Sequence, residues 1–147
     1  MEGDFKDGEL AITRLAEHAV SEPENFDEHL DWLFSGEANS GFEFGKELGR
    51  LDTCDRWFTP LVARFKSGGG DDRFITGYVY GAKIRQGEEW LEDQLDQWVQ
   101  APELQPLVGP TTWRALSTDR AASRLAMMIR DKSLPASYLV IISFFDY

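Results

Sequence analysis

Bulky apolar positions recur along this chain in a helical rhythm, and the rhythm itself recurs. Phe26, Leu30 and Leu33 stand at i, i+4 and i+7, as do Phe58, Val62 and Phe65, and Leu91, Leu95 and Trp98. Side chains at that spacing share one face of an α-helix. The three sets are offset by 32 and then 33 residues. The same offsets align Phe42, Phe74 and Leu107, and further on Leu48, Tyr80 and Trp113; Leu10 joins the Phe42 column. Gly36 and Gly68 align just past the first face, where a helix C-terminus favours glycine. Chance placement at ordinary composition gives about two wholly apolar columns over such a window, fewer than the five found. A period of this length is the mark of stacked helix pairs, each burying its apolar face against its neighbours.

The pattern predicts helices near 8–20, 25–35, 42–52, 55–67, 72–85, 88–100, 111–117, 119–132 and 135–146. Their starts are signposted by Asn25, by Asp71 or Asp72, by Thr118, and by Pro135 at a first turn. Pro102, Pro106 and Pro110 are expected to interrupt or restart the helix of the third unit. The expected fold is all-α: stacked antiparallel helix pairs, α-solenoid-like, in a single domain over 1–147. Two segments oppose it. "FITGYVYG" (74–81) and "YLVIISFF" (138–145) are rich in β-branched and aromatic residues. The alternative is therefore an α+β domain with strands near 74–80 and 138–145.

The stretch "TPLVARFKSGGGDDRF" resembles one HEAT-type repeat: a proline in the first helix, an apolar helix end, a turn with aspartate, then arginine opening the second helix. The resemblance assigns Pro60 to a kink and Asp72 and Arg73 to the turn, and it implies a helical solenoid as a class. It covers one unit. The aligned neighbours carry Glu28 and Asp93 in place of Pro60, and Ser40-Gly41 and Gln105-Pro106 in place of Asp72-Arg73.

Composition changes this picture little, but charge adds to it. The 147 residues are 42% hydrophobic and 13% aromatic, enough for a core. The longest apolar run, Tyr138 to Ile142, is far short of the ~20 residues that span a bilayer, so no membrane is expected. The polar, acidic N-terminus does not read as a secretory or transit signal, and the single Cys54 fits a reducing compartment. A cytoplasmic protein is the expectation. The formal net charge is −11, and residues 1–55, with 15 acidic and 4 basic side chains, carry all of it. Such a surface repels nucleic acid and steers basic partners toward itself.

Candidate chemistry is sparse. A phosphate-binding P-loop needs G-x-x-x-x-G-K-[ST]; Gly36 to Gly41 has the glycine spacing but continues Phe42-Glu43, and Gly68-Gly69-Gly70 is followed by two aspartates. A helix-to-helix turn explains both glycine clusters. His18 and His29, eleven residues apart, lack a metal-ligand spacing. Cys54 stands beside Asp52 and Asp55, which disfavour a thiolate. No catalytic residue, cofactor or metal site is expected. Arg120 and Arg124 share a helix face, a solvated face or a contact for phosphate or an acidic partner.

The function these features favour is a non-catalytic scaffold that binds another protein or the rest of a larger parent chain. Its candidate partner-binding residues are Asp27, Asp31, Trp32, Trp57, Glu92 and Asp96. Asp27/Asp31 and Glu92/Asp96 are carboxylate pairs four apart in matching columns. Trp32 and Trp57 are aromatic anchors of the kind enriched at hot spots, or else core. Both ends fall out of step with a whole repeat, so the chain is expected to be a piece of a longer one or to dock on another subunit. The alternative function is a small acidic inhibitor, an immunity protein or nucleic-acid mimic, acting through residues 1–55.

Overall fold

A computed structural model describes residues 2–22, 30–35, 40–116 and 118–138, with side chains of the first helix described from residue 12. The described residues are all-α: they contain no strand. They form α1 (Glu2–Ser21), α2 (Leu30–Phe34), α3 (Gly41–Leu51), α4 (Phe58–Gly68), α5 (Arg73–Gln86), α6 (Glu88–Val99), α7 (Gln105–Ala115) and α8 (Asp119–Arg130), then a 3-10 turn at Ala136–Tyr138. The chain divides into two compact units, Met1–Arg85 and Gln86–Tyr147.

The first unit is organised around α5. Its residues Phe74 to Val79, with Gly81 and Ala82, are all buried, so the helix is surrounded. This is the segment whose β-branched residues suggested a strand at 74–80, and the strand alternative is wrong there. Burial on every side makes Ile75, Thr76 and Val79 good packing residues in a helix as in a sheet, so propensity is overridden. The alternative strand at 138–145 lies, beyond Tyr138, outside the described residues.

Five glycines set the contact between α3 and α5. Gly41, Gly45 and Gly49 lie one turn apart on α3, and Gly77 and Gly81 one turn apart on α5. A Cβ at Gly45 would stand 2.8 Å from the Tyr78 nitrogen; one at Gly49, 2.9 Å from the Ala82 nitrogen; one at Gly81, 2.7 Å from the Arg50 nitrogen. The backbones themselves touch. Because Gly45 meets Phe74 and Tyr78 while Gly49 meets Tyr78 and Ala82, the two helices run parallel. The segment between them, with α4, carries the chain back. α1 packs on α3 through the small buried Ala16 and Ala19 and through a hydrogen bond from Thr13 to Glu47.

The glycine run at 68–70 is a turn. The Gly69 N–H closes α4 on the Phe65 carbonyl, and Gly69 and Gly70 hold φ of 62° and 118°, which favour glycine. A Cβ on Gly70 would lie 2.6 Å from the Phe34 carbonyl oxygen, which accepts the Asp71 N–H at 2.8 Å. The turn thus docks on α2. Phe34 meets Phe74 edge-on at 5.9 Å, and Phe74 stacks on Phe44 at 5.7 Å.

In the second unit α6, α7 and α8 pack against one another, and the 3-10 turn packs on α8. The face Leu91, Leu95, Trp98 is buried as its spacing predicts. α7 begins earlier than expected. Pro106 sits in its first turn, where no helical hydrogen bond is lost, and Pro110 lies inside it. The prolines do not break this helix. Pro110 follows Gly109, which has no Cβ for the proline ring to strike. Gly109 also leaves room for the Tyr138 ring, whose Cζ would be 2.6 Å from a Cβ there. α8 starts as signposted: the Thr118 hydroxyl accepts the Ala121 N–H at 3.0 Å.

In the HEAT-like stretch, Pro60 lies in the first turn of α4 and not at an interior kink, and Arg73 opens α5 after a bend at Asp72. The starts Gly41, Arg73 and Gln105 are each 32 residues apart, the interval found in the apolar columns.

Candidate functional site

The residues expected to bind a partner separate by burial. Asp27 lies outside the described residues. Asp31 is exposed and accepts from Arg64 Nε and Nη2 at 3.2 and 3.1 Å. Trp32 beside it is 50% exposed. Trp57 is buried, and its indole N–H donates to the Ala19 carbonyl at 3.1 Å, so it pins α1 to the start of α4 and presents nothing to a partner.

Glu92 and Asp96 form no open acidic ridge. Glu92 is 4% exposed, beneath Arg124, which is itself 4% exposed. Arg124 donates through Nε to Asp96 Oδ1 at 2.9 Å, and through Nη1 and Nη2 to Glu92 Oε1 and its carbonyl at 3.4 and 3.2 Å. Arg120 bonds Asp93 at 3.0 Å and also Asp96, and lies 3.6 Å from Glu92. The arginine face of α8 is therefore spent on the carboxylates of α6, and Arg124 is closed to phosphate. Burial pushes the Asp96 carboxyl up, but hydrogen bonds from Arg120 and Arg124 outweigh it and hold it below its ordinary range. Its hydrogen bonds to Asp96 and then Asp93 raise the Arg120 guanidinium.

A second polar cluster, absent from the sequence reading, sits at the turn between α3 and α4. Asp52 is 1% exposed. Its carboxylate accepts the Arg56 and Trp57 N–H groups at 3.0 and 2.7 Å and the Tyr78 hydroxyl at 2.7 Å. Burial, then the bond to Asp52, pushes the Tyr78 phenol far above its ordinary value. Arg85 bridges the Gly49 carbonyl at 3.1 Å and Asp55 at 2.9 Å, holding the loop where Asp55 takes φ 51°. Cys54 on this loop is exposed. The donors around Asp52 are two backbone N–H groups of the loop and the Tyr78 hydroxyl, so the cluster fixes the loop on α5. The signal for it in the sequence is only a tyrosine and an aspartate 26 residues apart, which is no signal.

Among the described residues no three His, Cys, Asp or Glu side chains are grouped as a metal ion requires, and no helix is long and apolar enough to cross a membrane. The exposed large apolar side chains among the described residues are Trp32 and Trp113, at 50% and 55%, with Leu15, Ile84 and Met127. Comparison of the chain with protein-family models, curated proteins and solved structures finds no match. The HEAT-type resemblance thus has no family match behind it, and the all-helical class stands on the fold described above.

Proposed function

We propose that this chain is a non-catalytic scaffold of helical-repeat type that binds another protein, or another part of a parent chain, through its exposed aromatic side chains. The observation that carries the reading is the split among its tryptophans. Trp57 and Trp98 are buried and Trp90 is half-buried, while Trp32 and Trp113 stay half in water. Tryptophan is the side chain most enriched at binding hot spots, because burying it on a partner removes a large apolar area from water. The regular interval between helix starts supports the repeat character. Localisation in the cytoplasm and a solenoid arrangement of the helix pairs belong to the same proposal.

The test is capture on the immobilised full-length chain at about 1 M salt, where the Debye length is about 3 Å. A partner retained there by the parent, and lost with Trp32→Ala and Trp113→Ala at unchanged melting temperature, supports the scaffold. Undiminished retention by both variants overturns it. The charge of residues 1–55 favours one other reading, the acidic inhibitor. Retention confined to low salt, with a basic partner, selects that one.

A further inference from the structure

The last turn of α4 carries an exposed hydroxyl beside a guanidinium that holds another helix. Ser67 is exposed, and its Oγ donates to the Arg64 carbonyl at 3.2 Å. Arg64 stands three residues before it and Lys66 one before. Arg64 donates through Nε and Nη2 to Asp31 Oδ1, and its guanidinium lies 5.1 Å from the centre of the Phe34 ring. Its Nη1 finds no acceptor among the described residues and lies against Gly68, 2.6 Å from where a Cβ would stand. Lys66 is exposed and forms no ion pair among the described residues. We propose that Ser67 is a phosphorylation site, and that its phosphate unlatches α2 by drawing Arg64 away from Asp31.

The reaction is an ordinary phosphoryl transfer from a nucleoside triphosphate bound to a serine kinase. The bond from Ser67 Oγ to the γ-phosphorus forms, and the bond to the diphosphate leaving group breaks. The hydroxyl proton passes to a carboxylate of the kinase. Basic residues just upstream of the hydroxyl are the charge pattern by which many kinases select substrates. The three glycines that follow, Gly68 to Gly70, let the end of α4 open into an extended strand for that purpose.

Two effects of the phosphate then act in one direction. Asp31 is 88% exposed, so its hold on Arg64 is screened by water. A phosphoserine brings a charge of about −1.5 to −2 and three acceptor oxygens, on a residue three positions from Arg64 along the same helix. It outcompetes one exposed carboxylate oxygen, and the unused Nη1 is a ready donor to it. The phosphate also stands at the C-terminal end of α4, where the helix dipole repels an anion and the last turn is weakened. That turn leads to Gly70 and Asp71, which dock on the Phe34 carbonyl. Both effects release α2, and with it Trp32.

The same spacing before a serine recurs at Ser117, Ser123 and Ser133. Ser117 lies outside the described residues. Ser123 is inside α8, and the Arg120 before it is held by Asp93 and Asp96. Arg130 before Ser133 lies 3.6 Å from Asp131.

The test uses the full-length chain, ATP with magnesium, a purified serine kinase selective for an upstream arginine, and mass spectrometry. Phosphate is expected on Ser67 and absent from Ser67→Ala, and Arg64→Gln should slow its transfer about tenfold. In the phosphorylated chain, hydrogen exchange over residues 30–35 and at the Asp71 N–H should quicken about tenfold, with α6 to α8 unchanged. Unphosphorylated Asp31→Asn, which takes away the acceptor of Arg64, should show part of the same rise. No phosphate on Ser67, phosphate on the other serines alone, or a phosphorylated Ser67 with unchanged exchange over 30–35 and at Asp71 overturns the proposal. The release of α2 is read with no partner present, so its failure and the failure of the scaffold reading are distinct.

Discussion

A carboxylate shut away from water needs donors, and Asp52 has three within 3.0 Å. Asp52→Ala leaves the Trp57 N–H and the Tyr78 hydroxyl buried without an acceptor, and should cost about 3 kcal/mol in denaturant unfolding. Tyr78→Phe removes one bond of the three and should cost about 1 kcal/mol. The raised phenol of Tyr78 has a pH consequence of definite sign. The unfolded chain gives up this proton near pH ~10 and the folded one only far above, so the stabilisation is complete below that point and falls as pH rises past it. Alkaline titration of the parent should show the Tyr78 phenolate only upon unfolding, and Tyr78→Phe should unfold over a shallower alkaline slope. None of this was visible residue by residue in the sequence. Asp52 reads there as one of many acidic surface residues, and burial alone singles it out.

Packing between elements depends on where a glycine sits. Gly45→Ala and Gly81→Ala drive a methyl group into the facing backbone, and each should cost about 3 kcal/mol, the upper end of overpacking penalties. Gly69→Ala meets open space, but φ 62° with ψ −146° is backbone that glycine almost alone adopts, and it should cost about 2 kcal/mol. Thermal melts of the three variants check the ordering. Between α6 and α8 the decisive contact is ionic. Arg124→Ala takes from buried Glu92 its buried cation and leaves it Arg120 at 3.6 Å and the Thr118 hydroxyl at 3.4 Å; it should cost about 3 kcal/mol, whereas Arg124→Met with Glu92→Met should recover most of it. Asp96 adds an acid limb. Its carboxyl is held below the ordinary ~3.9, so it stabilises fully above that value and the contribution drains away as pH falls through the depressed range. Asp96→Asn should flatten the acid unfolding profile below pH ~4. Both devices had legible spacings. Glycines four apart on both helices, and Arg120/Arg124 matched to Glu92/Asp96, stand in the sequence, but spacing within a helix does not say which other helix it faces.

At the scale of the molecule, the period near 32 residues survives as the interval between the starts of α3, α5 and α7. The apolar columns fare unevenly: Leu33, Phe65 and Trp98 are all buried, while Leu48 is buried, Tyr80 half-buried and Trp113 exposed. The chain clusters into two units whose boundary falls within the last turn of α5. If each unit holds its own core, hydrogen exchange in Arg124→Ala should rise through α6 to α8 and stay unchanged in α3 and α5; a uniform rise would mean that the two units open as one.

Helix positions, caps such as Thr118, the turn at Gly68 to Gly70 and the asymmetry of charge follow from local chemistry, because each depends on residues within a turn or two of one another. Whether Trp32 or Trp57 faces water, whether Glu92 and Asp96 lie open or beneath arginines, and whether residues 74–80 make a strand or a buried helix depended on what stands opposite. Burial is a property of pairs of elements, and only their packing in three dimensions supplies it.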